Sequence, residues 1–266
     1  MFVVIMKKLF PLALLALIAI ACGRTPATIE DLSIINVSDS LEVTPDIVSP
    51  DDEIAGTISI SLEFLDGGMS ARARKAVRDS IIVIALGDEF VGRTPAKAIE
   101  SYIANFEENY VKEIEEFKAN WGDDDFPSFT LNHSEDIYGE FISCENGLLC
   151  YRIFSSEYSG GAHGIYGEIY LNFDTKTGKL IRASDLFTED GRETLDYMLK
   201  RELESEGHTF WTLSDTPEWL DGNFKIVRDT VEFIYNPYEV DCYAAGIISV
   251  CLPVSELAPL MKKNSN

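Results

Sequence analysis

Between residues 99 and 121 the chain places Ile99, Tyr102, Ile103, Phe106, Tyr110, Ile114, Phe117 and Trp121 at steps of three and four. That period puts all eight on one side of an α-helix, and a stripe so rich in aromatic rings has to be covered by something. Thr94-Pro95 ahead of it supplies a cap followed by proline at the first helical position. A covering surface is suggested further along. After Asp123-Asp124-Asp125 the texture changes to strands, read at 129–141, 148–154 and 166–173, with turns at Asn146-Gly147 and around Gly160-Gly161.

Other segments fit the same plan. Residues 57–64 alternate strictly as a strand, Asp66-Gly67-Gly68 turns the chain, and Ser70 caps a helix to about Leu86 with Val77, Ile81 and Ile84 on one face. A third helix is expected from about Asp190 to Glu206, burying Leu195, Met198, Leu199 and Leu203. Strands at 230–235 and 245–252 follow, and a short helix over 254–261 closes the chain. Strands gathered together with helices set apart from them define an α+β fold, expected as an antiparallel meander with helices packed on it.

The N-terminus addresses the chain. Lys7 and Lys8, the apolar run from Leu9 to Ala21 and the sequence Ala19-Ile20-Ala21-Cys22-Gly23 form a bacterial lipoprotein signal. The run falls short of the roughly 20 residues that span a bilayer, so a removed leader fits better than a permanent helix. Residues 1–21 are thus read as signal peptide, and Cys22 as the lipidation site that attaches the chain to a membrane. The proline-bearing residues 22–55 are read as a flexible tether. Residues 56–165 and 166–266 follow as the N- and C-terminal parts of the folded body. The formal charge of −23 becomes two units more negative once Lys7 and Lys8 leave. That field excludes nucleic acid as a partner and favours cationic ones.

Four further cysteines, Cys144, Cys150, Cys242 and Cys251, are disulfide candidates in an exported protein. A two-residue turn at Asn146-Gly147 would set Cys144 opposite Leu149 and Cys150 opposite Ser143. The two thiols would then face opposite ways, and a direct bridge would need a longer loop. No metal site or cofactor is expected. The run from Asp221 to Glu232 has Lys225 and Ile226 where a calcium loop needs an oxygen ligand and a glycine. His133, His163 and His208 lie far apart, and G-x-S-x-G, S-x-x-K and H-E-x-x-H are missing.

Two stretches carry more. One is Tyr158-Ser159-Gly160-Gly161-Ala162-His163-Gly164, followed by Asn172-Phe173-Asp174 and Ser184-Asp185-Leu186-Phe187. The other runs from Phe233 through Asn236-Pro237-Tyr238-Glu239-Val240 into Tyr243-Ala244-Ala245-Gly246. In this order they resemble the extracytoplasmic domain of RsiV-type anti-sigma factors. That domain also accompanies some peptidoglycan deacetylase domains and stands alone in bacterial lipoproteins. The resemblance covers about 57–262 and implies an α+β extracellular fold, a cell-envelope role and, in its sensor branch, binding of lysozyme. No sigma-binding segment or deacetylase domain accompanies it here, so neither activity carries over.

The ligand-binding candidates are therefore Tyr158, Gly160, Gly161, His163, Tyr238, Glu239 and Tyr243. Two readings stand for each group. His163 either meets a sugar, carboxylate or partner, or pins its own turn to a neighbouring carbonyl; the tyrosines either form a stacking platform or fill the edge of the core. A non-enzymatic, lipid-anchored envelope protein that binds lysozyme or peptidoglycan fragments is the leading expectation. The alternatives are a carboxylate-based enzyme acting on an envelope glycan near His163 or Glu239, and a lipoprotein that docks through the helical aromatic stripe.

Overall fold

The alternation at 57–64 is the middle of a long strand, and a six-stranded sheet is built on both sides of it. The computed structural model describes residues 25–45, 54–121, 131–208 and 223–262. The expectations for Cys22, Asp123-Asp124-Asp125 and Asp221 fall outside them. Strands β1 (Ser33–Val43), β2 (Gly56–Gly67), β3 (His133–Glu145), β4 (Leu148–Ser159), β5 (Ile165–Asp174) and β6 (Leu180–Ile181) lie side by side in chain order. Helices α1 (Ala71–Leu86) and α2 (Pro95–Trp121) are inserted between β2 and β3. A second sheet holds β7 (Phe224–Val227), β8 (Thr230–Tyr235) and β9 (Ile248–Pro253). It is accompanied by α3 (Ala183–Leu186), α4 (Glu189–Ser205) and α5 (Val254–Leu257).

The architecture is α+β, with two corrections. The main sheet is mixed, because β2 and β3 pair in parallel from Gly56↔His133 to Leu62↔Gly139. A parallel neighbour requires a long crossover, and the two-helix insertion provides it. In addition, part of the expected tether is a strand: β1 pairs antiparallel with β2 from Ser33↔Gly67 to Val43↔Gly56. Its own pattern is weak, since Asp39 interrupts the run of Val37, Leu41 and Val43, and only one side is partly covered. The pairing partner, rather than the pattern, makes this strand, and its polar outer side suits a sheet edge.

The helices form as their caps and periods dictate. Ser70 Oγ accepts from Ala73 N at 3.2 Å to open α1. Its inward side is Ala73, Val77, Ile81, Ile82 and Leu86, whereas Ile84, expected beside Val77 and Ile81, is 40% exposed. The stripe of α2 is largely covered: Ile99, Ile103, Tyr110 and Ile114 are buried, while Tyr102 and Phe106 are half-buried. Docking through that stripe loses its basis. Gly139 on β3 gives room to the core, since a Cβ there would lie 2.2 Å from Tyr151 Oη.

Asn146 and Gly147 adopt φ of 53° and 82°, and the two-residue turn sets Ser143 opposite Cys150 and Cys144 opposite Leu149. The two thiols enter different apolar clusters, Cys144 with the helices and Cys150 with Tyr170 and Ile234. All four described cysteines are free thiols, and burial pushes Cys150 up to about 12. The expected division at residue 165 also moves. β5 is paired with β4 along its length, and the second apolar cluster draws on Ala183, Phe187, Leu195, Leu199 and Leu203 with β7–β9.

The two sheets are joined at the edge of β5. β6 covers only Asn172 and Phe173 of that edge, so the peptide groups at Glu168 and Tyr170 need other partners. Asn236, just after β8, accepts from Glu168 N at 2.8 Å and donates to Glu168 O at 3.1 Å. Asn223, just before β7, accepts from Tyr170 N at 2.8 Å and donates to Glu168 O. From the other direction, buried Asn172 donates to Phe224 O at 2.7 Å. Beside this joint Arg152 bridges Glu140 and Glu168, and Tyr170 Oη donates to Glu168 Oε2 at 2.6 Å.

Asn172→Ala leaves Phe224 O without its buried donor and should cost about 1–3 kcal/mol, read from the urea midpoint. Burial pushes the Glu168 carboxyl upward, but the bonds from Arg152 and Tyr170 outweigh it and hold its pKa below the usual 4.5. A depressed carboxylate stabilises the fold above its unfolded pKa and loses that contribution as pH falls through its folded one. The stability gap between wild type and Glu168→Gln should therefore shrink below pH 4.5, by denaturation at a series of pH values.

Candidate functional site

The loop from β4 to β5 is shaped by glycine. Gly160 and Gly161 take φ of 83° and 102°, and a Cβ on Gly164 would lie 2.6 Å from Glu157 O. Tyr158 Oη donates to Gly161 O at 3.0 Å and holds the loop in shape. His163 projects from it, exposed, with Nδ1 2.8 Å from Gly164 O. A carbonyl only accepts, so the neutral ring carries its hydrogen on Nδ1 and presents Nε2 as an acceptor. Tyr238 Oη lies 3.2 Å from that Nε2, so the phenol donates to the imidazole.

This pair joins positions 75 residues apart in the chain. The ring of His163 also stacks on Tyr243, with centroids 4.0 Å apart and planes 22° from parallel. Tyr166 of β5 meets Tyr243 edge-on at 5.7 Å, and Tyr238 lies 5.7 Å from Tyr243. Four rings thus form one surface cluster, with His163 and Tyr238 exposed and Tyr166 and Tyr243 half-buried, in geometries that aromatic quadrupoles favour. Of the seven expected ligand-binding residues, His163, Tyr238 and Tyr243 are brought together directly. Tyr158, Gly160 and Gly161 shape the loop that presents His163. Tyr166 was missed, because in the sequence it is one more aromatic in an alternating strand.

Glu239 serves the second loop. Its Oε2 accepts from Asn236 N at 2.8 Å, while Glu239 N donates to Asn236 O at 3.0 Å. Burial raises its pKa against these bonds, although the outer part of the residue is exposed. The loop is anchored by the fully buried Val240 and by His208, whose Nδ1 is 3.1 Å from Asp241 Oδ2. Asn236 ties its start to β5, which fixes where Tyr238 stands. Tyr238 itself has φ +73°, a left-handed conformation uncommon outside glycine, and its side chain is 44% exposed. A strained backbone that holds an exposed ring marks a candidate contact residue.

The pinning reading of His163 and the exposed-contact reading are thus compatible, since one nitrogen holds the turn while the ring faces solvent in a stack. Among the described residues no three His, Cys, Asp or Glu side chains are placed to hold a metal ion.

The fold and this site define a two-sheet α+β domain with a surface imidazole–tyrosine cluster. Residues 184–255 match a family model described as a protein of unknown function, DUF3298. The matched segment carries the second sheet and the Tyr238–Tyr243 half of the cluster. A crystal structure of a DUF3298 family member from Bacteroides fragilis NCTC 9343 superposes with a TM-score of 0.73 at 21% identity, covering 88% of this chain and 96% of that one. A DUF3298 family protein from Pseudomonas aeruginosa PAO1 gives a TM-score of 0.56 at 17% identity, covering 88% and 95%. At these identities the likeness is one of fold. No curated protein matches the sequence.

Glycine accepts the left-handed backbone that tyrosine and alanine resist. Tyr238→Gly should therefore be more stable than Tyr238→Ala by about 1 kcal/mol, although both lose the ring. Thermal melts of the two variants give the comparison.

Proposed function

We propose that this chain is an exported, lipid-anchored binding protein of the bacterial cell envelope, RsiV-like in its extracytoplasmic domain. His163, Tyr238 and Tyr243 would lie in its contact surface for a cationic protein such as lysozyme. The observation that carries the reading is spatial: the two stretches that bear the resemblance meet in one surface cluster. Exposed tyrosines are typical anchors of protein contacts, combining large area with a polar tip. The formal charge of −23 would steer a basic partner towards the domain. The lipoprotein signal ending at Cys22 supports export and attachment to a membrane through an N-terminal lipid.

Peptidoglycan fragments are a second reading, favoured by the stacked pair of His163 and Tyr243 beside the half-exposed Tyr238. The exposed rings of His163 and Tyr238 suit the apolar faces of sugars.

One titration series separates these. Lysozyme should bind at low ionic strength and weaken as salt rises, and Tyr238→Ala or His163→Ala should cost about tenfold or more in affinity. Binding of muropeptides that is insensitive to salt, yet lost in the same variants, would favour the glycan reading. The absence of both at low salt defeats the proposal.

A further inference from the structure

Beyond the His163–Tyr243 stack, two clefts open on the helix-bearing side of the main sheet and meet at one pair of residues; Tyr166 borders the second. The first, of about 260 Å³, lies between α2 and the start of β3, walled by Phe90, Tyr102, Phe106 and Tyr110. The second, of about 330 Å³, is walled by Ile84, Ile137, Ile153, Ile165, Ile169 and Pro237. Glu135 and Glu157 line both. They sit directly opposite each other on β3 and β4, so their side chains leave the sheet on the same face.

Among the described residues the pair has no lysine or arginine counter-ion in the clefts. Glu89 and Glu113 add two more carboxylates to the first. Like charges opposed across a strand pair repel each other, and the cost grows as the groups leave water. Glu135 shows this: burial pushes its pKa up, the bond from Tyr102 Oη at 2.5 Å opposes the rise, and Glu157 and Asp136 add to it. His133 lines the same cleft, and its buried Nε2 has no hydrogen-bond partner, Glu113 Oε1 being 3.7 Å away. Around the second cleft the apolar surface is left open, with Ile84, Ile165 and Ile169 exposed by 40%, 47% and 39%.

A bare metal ion would use the carboxylates but not the aromatic or isoleucine walls, and an anion would be repelled. A ligand that satisfies every feature has a positive head and an apolar stem. We propose that the joined clefts bind an alkylammonium group, with the cation held between Glu135 and Glu157 beside the ring of Tyr102 and the hydrocarbon stem lying along Ile84, Ile137, Ile153 and Ile169. The ring faces add cation–π attraction, and the stem covers exposed isoleucine. Such a group occurs on free aliphatic amines and on lysine side chains. The proposal goes beyond the envelope-partner reading and does not depend on it, because no residue of the His163–Tyr243 stack takes part.

The test uses the purified full chain and two isosteric probes, n-hexylammonium chloride and hexan-1-ol, titrated by calorimetry and by amide chemical shifts. Hexylammonium should bind saturably, perturb residues 133–137 and 153–157, and exceed hexanol in affinity by about tenfold at low salt. That margin should narrow as salt rises. Glu135→Gln and Glu157→Gln should each remove most of the margin without changing the affinity for hexanol, whereas Ile169→Ser should weaken both probes. Glu157 is exposed, so its variant keeps the comparison available if Glu135→Gln fails to fold. Stronger binding of Nα-acetyl-lysine N-methylamide than of hexylammonium would assign the site to a protein side chain; the reverse would assign it to a free amine. Equal affinity for amine and alcohol, shifts confined to other residues, or no saturable binding would overturn the proposal. Loss of lysozyme binding in Tyr238→Ala with amine binding intact would keep the two ideas separate.

Discussion

The open edge of β5 is the constraint on which the rest of the molecule depends. A strand edge inside a folded domain presents peptide donors and acceptors that must be matched, and another strand is the usual answer. Here two asparagine side chains do it instead, and a third, Asn172 of β5, reaches the other way to the backbone of β7. A carboxamide offers one acceptor and donors in nearly the geometry of a peptide group, so each asparagine imitates a strand over a single residue. Asn236 and Asn223 satisfy Glu168 and Tyr170, and Asn172 returns the bonding to Phe224. A point-by-point junction of this kind lets the second sheet attach without continuing the ladder. That freedom is what allows the loop after β8 to reach the loop before β5.

Legibility in the sequence follows from whether a structure is made locally. The helices at 71–86, 95–121 and 189–205 were visible because each has a cap or period of its own, and Ser70 and Thr188 do cap their helices. The hairpin at Asn146-Gly147 and the opposed directions of Cys144 and Cys150 were visible for the same reason. β1 was not, since Asp39 breaks its alternation and its order comes from β2. β7 has only four residues, from Phe224 to Val227, and is held by β8 and the Asn172 joint. The parallel pairing of β2 and β3 depends on how α1 and α2 pack, which a one-dimensional pattern does not encode.

The site divides along the same line. Glycines at 160 and 161, and a proline between Asn236 and Tyr238, announce special backbone, and the residues around them do form the cluster. Nothing in the sequence announces that Tyr166 will support Tyr243, or that Glu135 and Glu157 will face each other across β3 and β4. These are consequences of register. Cross-strand opposition is fixed by where a hairpin turns and where it bulges. The turn at Asn146-Gly147 sets the pairs as far as Ser143↔Cys150, and a bulge between Phe141 and Ser143 then shifts the register by one, which brings Glu135 opposite Glu157 and His133 opposite Ser159.

The turn at 236–238 ties these features together. Asn236 closes the edge of β5, Pro237 forms part of the isoleucine-walled cleft, and Tyr238 donates to His163. Three consecutive residues thus serve the joint, one cleft and the surface cluster. The strained φ of Tyr238 becomes intelligible in this setting. With Asn236 fixed to Glu168 and Val240 fixed in the second core, few backbone paths remain between them. The path taken bonds Tyr238 N to Asp241 O and turns the phenol towards the imidazole. Relaxing that conformation would move the ring off His163 while both anchors stayed in place. The strain is therefore a local cost of placing one hydroxyl, and the asparagine joint is what makes the placement rigid.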